Sequence, residues 1–179
     1  MSFTKPIALL TLLFAGCATA PRSPAQRQSL RQSADATLSE MIARDPPLAD
    51  LLYRATAYAV FPSIGAGGIL VGGAYGRGIL YEGGAPTGYV SLEQASIGAQ
   101  LGGQSFAELL VLRTPAEARA LKGGHFTAGA NLGVVVLTAG AAAHPSFDPN
   151  ASVFVLPRGG LMVDISIAGQ QLNYQPFNE

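Results

Sequence analysis

Arg77 is the charge best placed to do chemistry in this sequence. It stands between Gly76 and Gly78 inside an apolar stretch, flanked by Tyr75 and Tyr81. Odd-numbered residues of an ideal strand share one face, so a guanidinium and two phenol rings would point the same way, with glycine leaving room to approach them. That face suits a phosphate headgroup or an acidic partner, because a planar guanidinium grips phosphate and carboxylate with paired hydrogen bonds. The same residues also describe a structural arginine, stacked on the tyrosines or paired with a glutamate such as Glu93 or Glu108. Lys122 and Arg158 are further candidate phosphate contacts.

Other chemistries find weaker footing. Metal binding would fall to His125 and His144, with no His-x-x-x-His spacing and no cysteine pair. The glycine runs graze two phosphate-cradle patterns and complete neither. Gly76-Arg77-Gly78 lacks the third glycine of a dinucleotide fingerprint, and Gly67 to Gly72 is followed by Gly73 where a P-loop needs lysine. Gly103-Gln104-Ser105-Phe106-Ala107 approaches a nucleophile elbow, but it ends in alanine and continues as strand-like Leu109 to Leu112. His125, His144, Asp148 and Asp164 would have to complete a triad around Ser105, and no motif demands one. Glu82, Glu93 and Glu108 are scattered at strand spacing without the close carboxylate pair of a glycosidase, and read as solvated strand positions. The sequence therefore predicts a non-enzymatic protein with no metal and no cofactor.

Cys17 is a different kind of reactive residue. Lys5, the apolar run Pro6 to Phe14 and then Ala15-Gly16-Cys17-Ala18 form a secretory signal whose apolar core is too short to span a bilayer. The small residues before Cys17 resemble the lipobox of bacterial lipoproteins, in which cleavage leaves the cysteine N-terminal and acylated. Two or three acyl chains, at roughly 0.8 kcal/mol per buried methylene, anchor a protein almost irreversibly. It is the only cysteine, so no disulfide forms within the chain. Ala18 after it, where an acidic residue would resemble an inner-membrane sorting signal, points to the outer membrane, periplasmic side. Net charge is zero over 179 residues, and loss of residues 1–16 removes Lys5, leaving ten Lys and Arg against eleven Asp and Glu. Such a balance gives no footing for nucleic acid.

The elements that must position these residues follow from spacing. Residues 17–28 read as a Pro-, Ser- and Gln-rich tether, and residues 29–179 as one domain. From Leu30, apolar residues at Ala34, Leu38, Met41 and Ile42 predict a helix, and Asp45-Pro46-Pro47 stops it and starts a second. Tyr58 to Phe61 predicts a strand ended by Pro62, and Ser63 to Gly68 a turn. Ile69 to Glu82, Thr87 to Ser96 and Ile97 to Leu112 predict further strands, with a hairpin loop at Gly83-Gly84-Ala85-Pro86. Thr114-Pro115 starts a short helix near 115–122, ended at Gly123-Gly124. His125 to Ala139 is another strand, and Ser152 to Leu156 pairs with Leu161 to Tyr174 as a hairpin. The whole is an α+β fold: a strongly curved or barrel-like antiparallel sheet of about six or seven strands, its glycines placed where the sheet bends.

The segment AVFPSIGAGGILVGGAYGRGILYE (Ala59 to Glu82), followed by SLEQASIGAQLGGQSFAELLVL (Ser91 to Leu112), strongly resembles the SYLF domain family, and VFVLPRGGLMVDISIAGQQL (Val153 to Leu172) is similar to that family's last block. The resemblance covers about Leu38 to Tyr174. It implies phospholipid binding, no catalytic residue, and a bacterial lipoprotein branch to which the actin-bundling of some eukaryotic members does not transfer. The expectation is a membrane-anchored lipoprotein that binds membrane phospholipid through Tyr75, Arg77, Tyr81, Lys122 and Arg158. Its alternative is a structural module that recruits an envelope protein through a strand edge or apolar patch. A third reading, an esterase, rests on Ser105 alone.

Overall fold

A computed structural model describes residues 19–68, 71–97, 102–128, 133–137, 151–160 and 169–177. Cys17 with its signal segment, His144, Asp148 and Asp164 lie outside them. Helix α1 spans Pro24–Arg44. Ser23 caps it: its hydroxyl accepts from the Gln26 N–H at 3.2 Å, and the Gln26 side chain accepts from the Ser23 N–H at 3.4 Å. Pro24 sits where no intrahelical donor is needed. The helix thus begins inside the segment expected to be a tether, ahead of Leu30. Asp45 and two prolines separate it from α2 (Leu48–Arg54). Helix α3 (Pro115–Lys122) has the expected cap, with the Thr114 hydroxyl accepting from the Glu117 N–H at 3.4 Å.

The strands are β1 (Ala57–Gly68), β2 (Val71–Glu82), β3 (Ala85–Ile97), β4 (Gly102–Leu112), β5 (Thr127–Ala128), β6 (Gly133–Val136), β7 (Ala151–Gly160) and β8 (Gln170–Pro176). They form one sheet in the order β5-β8-β3-β2-β1-β4-β7-β6. β5 is only two residues long, so seven strands carry the sheet. Two expectations are corrected by this order. β6 runs parallel to β7, so the sheet is mixed and not antiparallel throughout. β7 and β8 do not form a hairpin, because β7 pairs with β4 and β8 with β3, on opposite sides of the central strands. Among the described residues the outermost strands β5 and β6 are not paired with each other, and the sheet is not closed.

β1 also runs past the proline expected to end it. Its ladder with β2 slips between Val60 and Ser63 and its ladder with β4 between Phe61 and Ile64, so Pro62, whose ring cannot donate, falls in a bulge of both. The bulge resets the alternation, and Phe61 and Ile64 both face the layer beside α3. That layer also holds Leu80, Val90, Leu110, Val155 and Leu172, whereas Tyr58, Val60, Ile79, Leu109 and Phe154 pack on the other face with Ala34 and Met41 of α1. The chain therefore buries both faces of its central strands. Gly83 and Gly84, with φ of +58° and +80°, supply the two left-handed positions of a tight hairpin between β2 and β3.

Glu108 is a further correction. It is not solvated but 1% exposed, within the α3 layer, where the Gln170 side-chain amide donates to its carboxylate at 3.0 Å. Burial pushes its carboxyl up to about 7, opposed by the hydrogen bond from Gln170.

Candidate functional site

Beyond Ile79 and Leu109 the face of the sheet toward α1 carries Ser63, Gly65, Arg77 and Ser105 in place of large aliphatic side chains. The space between that face and α1 is a cleft of about 910 Å³. Its wall on β2 is Tyr75, Gly76 and Arg77; β1 adds Pro62, Ser63 and Gly65, β4 adds Ser105 and β7 adds Arg158. Helix spacing brings Gln26, Ser29, Ser33 and Thr37 to the opposing side. Pro21 lines it as well, and Thr19, two residues earlier, shares a 3.2 Å hydrogen bond with Ser91 on β3. Hydroxyl groups and arginine thus meet over a floor where glycine leaves the backbone open.

Of the residues singled out from sequence, Tyr75, Arg77 and Arg158 come together here. Arg77 is half-buried, its guanidinium carbon 5.5 Å from the centre of the Tyr75 ring, and its register partners are Ser63 and Ser91. Glu108, one glutamate considered for it, belongs to the other layer; Glu93, opposite Tyr75, is exposed. Arg158 continues the series of Phe154 and Leu156 toward α1, where its guanidinium donates to Glu40 and, at 3.2 Å, to the Thr37 hydroxyl. That hydrogen bond holds the Glu40 carboxyl below its ordinary value, against partial desolvation and with help from the charges of Arg158 and Arg44. Arg158 therefore closes the β7 end of the cleft by tying α1 down.

Tyr81 and Lys122 are elsewhere. Tyr81 is 4% exposed beneath α1, stacked on Tyr58 at 5.0 Å and 10°, and its hydroxyl donates to Asp35 at 2.6 Å. Burial first, and the Asp35 carboxylate second, push its phenol far above the ordinary value, so it is a neutral strut between β2 and α1. Lys122, at the end of α3, bonds both carboxylate oxygens of Glu82 at 3.2 and 3.1 Å. Neither lines the cleft.

Ser105 does line it, with its hydroxyl 3.4 Å from that of Ser63. The described lining contains no histidine or carboxylate, and His125 is an exposed residue following α3. No group of three or more His, Cys, Asp or Glu gathers among the described residues as a metal would require. No described helix is long and apolar enough to cross a membrane.

Sequence reasoning missed Ser29, Ser33 and Thr37. Their four-residue spacing was a usable signal, but polar residues on a helix read first as its solvated side. Taken together, fold and site define an open mixed sheet roofed by one helix over a cleft in which Arg77, Arg158 and several hydroxyls stand among apolar residues such as Leu30, Ala36 and Pro62. The chain matches no protein-family model and none of the curated proteins with which it was compared.

Proposed function

We propose that this is a non-enzymatic lipoprotein, anchored through Cys17 to the periplasmic side of the outer membrane, whose SYLF-like domain binds the phosphate-bearing headgroup of a phospholipid in the cleft under α1. The observation that carries this reading is Arg77, half-buried on the cleft wall beside Tyr75, with the hydroxyl side chains of α1, β1 and β4 around the same space. A guanidinium supplies charge and paired donors to phosphate, and hydroxyls add donors without charge of their own. The resemblance of Ala59 to Leu112 to SYLF domains supports the same class of ligand. In this reading Tyr75 and Arg77 touch lipid, Arg158 shapes the cleft, and Tyr81 and Lys122 serve the fold.

The reading takes the sheet as strongly curled. Gln170 on β8 reaches Glu108 on β4 although three strands separate them in the order. In a flat sheet those strands would lie about 19 Å apart, beyond the reach of the two side chains. Curling splays the glycine-rich strand ends and leaves room beneath α1.

A chain beginning at Ala18, free of acyl groups, keeps every contact described above and is the appropriate material for cosedimentation with phosphatidylglycerol vesicles. Arg77→Ala should weaken binding about tenfold or more, the loss of one charge-assisted contact. Unchanged binding would count against the assignment. Gly65→Val offers an orthogonal check, because a Cβ at Gly65 meets nothing within 4 Å, whereas the residue lines the cleft. It should leave stability within about 1 kcal/mol of the parent while reducing vesicle binding about tenfold. If binding survives the narrowed cleft, lipid is held elsewhere.

The second reading, an envelope-protein module, is favoured by the edge of β8. β5 pairs only with Gln170 and Gln171, so the outer side of Leu172 to Pro176 has no strand partner among the described residues. A partner captured by wild type and by Arg77→Ala alike, and lost on disrupting β8, would support it.

A further inference from the structure

The chain enters the domain along a fixed path. Thr19 is held to Ser91, Ala20 is 7% exposed, and the buried Pro21 offers its carbonyl to Arg27 Nε at 2.9 Å before Ser23 caps α1. Ser91 is the register partner of Arg77 and Pro21 lines the cleft, so this path runs along the cleft's β3 end. Cys17 precedes Thr19 by two residues, which span at most about 7 Å. Acyl chains on Cys17 therefore enter the bilayer beside the cleft, and the domain has no long tether on which to turn.

Charge points the same way. Residues 19–34 contain Arg22, Arg27 and Arg31 and no Asp or Glu; Arg22 and Arg31 are exposed. The acids of this region come later: Asp35, which accepts from Tyr81, then Glu40, Asp45 and Asp50 toward α2. The end of α1 nearest the anchor is the end suited to an anionic surface.

We propose that the domain lies against the leaflet that holds its own acyl chains, with the N-terminal half of α1 on the headgroups and the Arg77 cleft opening into them, so that the lipid it binds is a neighbour in the same leaflet. This rests on the phospholipid reading above and on acylation of Cys17, and adds the orientation that follows from the short leash. An envelope protein covering the same face is the competing occupant.

Full-length acylated protein in vesicles of phosphatidylethanolamine and phosphatidylglycerol allows a direct test. Acylation occupies the only natural cysteine, so a single fluorophore can be placed through Ser29→Cys at the cleft, or through Tyr53→Cys on α2, where the side chain is 91% exposed. Tyr53 lies just before the start of β1, and the cleft lies toward its other end. A headgroup-attached quencher should quench the Ser29 label at least threefold more than the Tyr53 label. Ser33→Cys provides the same reading should Ser29→Cys fail to fold. Equal quenching at both positions, or stronger quenching at Tyr53, would overturn the orientation, as would a cleft label shielded only when an envelope protein is added. The unacylated chain separates the two claims. If it binds vesicles through Arg77 while the labels fail, orientation alone is wrong; if the labels behave as expected while it does not bind, orientation stands and the headgroup site does not.

Discussion

Adding one methyl group at position 78 should lower the melting temperature by about 10 °C. A Cβ on Gly78 would sit 2.3 Å from the Val60 carbonyl oxygen and 2.9 Å from Cδ1 of Phe61. Neither neighbour can yield. Val60 belongs to β1, which is hydrogen-bonded to β2 on one side and β4 on the other, and Phe61 is fully buried. Relief would require moving backbone in the centre of the sheet, an overpacking strain of about 3 kcal/mol, and a domain of this size loses roughly 2–4 °C per kcal/mol. Gly88→Ala should behave alike, since its Cβ would fall 2.3 Å from Cε2 of Tyr174 and 2.6 Å from the Gln175 carbonyl. Thermal unfolding followed by circular dichroism decides the matter. A Gly78→Ala protein melting within 2 °C of the parent, by that roughly 2–4 °C scale, would mean that β1 and β2 are not packed as described.

The second large effect concerns pH. Glu108 is buried with its carboxyl raised to about 7 from an ordinary value of 4.5. Between those values the folded protein holds a proton that the unfolded chain has released, so the contribution of Glu108 to stability is greatest below about pH 4.5 and falls as pH rises toward 7. The slope is about 1.4 kcal/mol per pH unit, for a total of about 3 kcal/mol. Glu108→Gln removes the ionisation and retains a neutral hydrogen-bonding partner for Gln170. The variant should match the parent near pH 4 and exceed it by about 3 kcal/mol at pH 8 in denaturant unfolding. Parallel pH profiles for the two proteins would show that the Glu108 carboxyl is not desolvated in the folded state.

What was legible in the sequence was local. Parity alone put Tyr75, Arg77 and Tyr81 on one face, and Thr114-Pro115 and Gly83-Gly84 marked a helix start and a hairpin through chemistry confined to a few residues. What was hidden depended on partners far along the chain. Glu108 resembles a solvated strand residue until Gln170, 62 positions away, reaches it. Lys122 looked free until Glu82, 40 positions back, claimed it. Pro62 would end an isolated strand, yet β1 continues because both flanking strands tolerate a bulge at the same place. The cleft belongs to this second group: its floor was recognisable as glycine-rich sequence, but its roof is the polar flank of a weakly amphipathic helix. That helix is fixed over the sheet by Tyr81 to Asp35 at one point and Arg158 to Glu40 at another.

The central claim is that a phospholipid headgroup enters the space between α1 and the glycine-rich ends of β1, β2 and β4. It is tested most directly by titrating a monomeric, short-chain phosphatidylglycerol into the chain beginning at Ala18 while recording amide chemical shifts. The account predicts saturable shifts centred on Ser29, Ser33, Ser63, Arg77 and Ser105, which in Arg77→Ala require about tenfold more lipid or more to saturate. Absence of shifts, or shifts centred on α3 and the β8 edge instead, would contradict it.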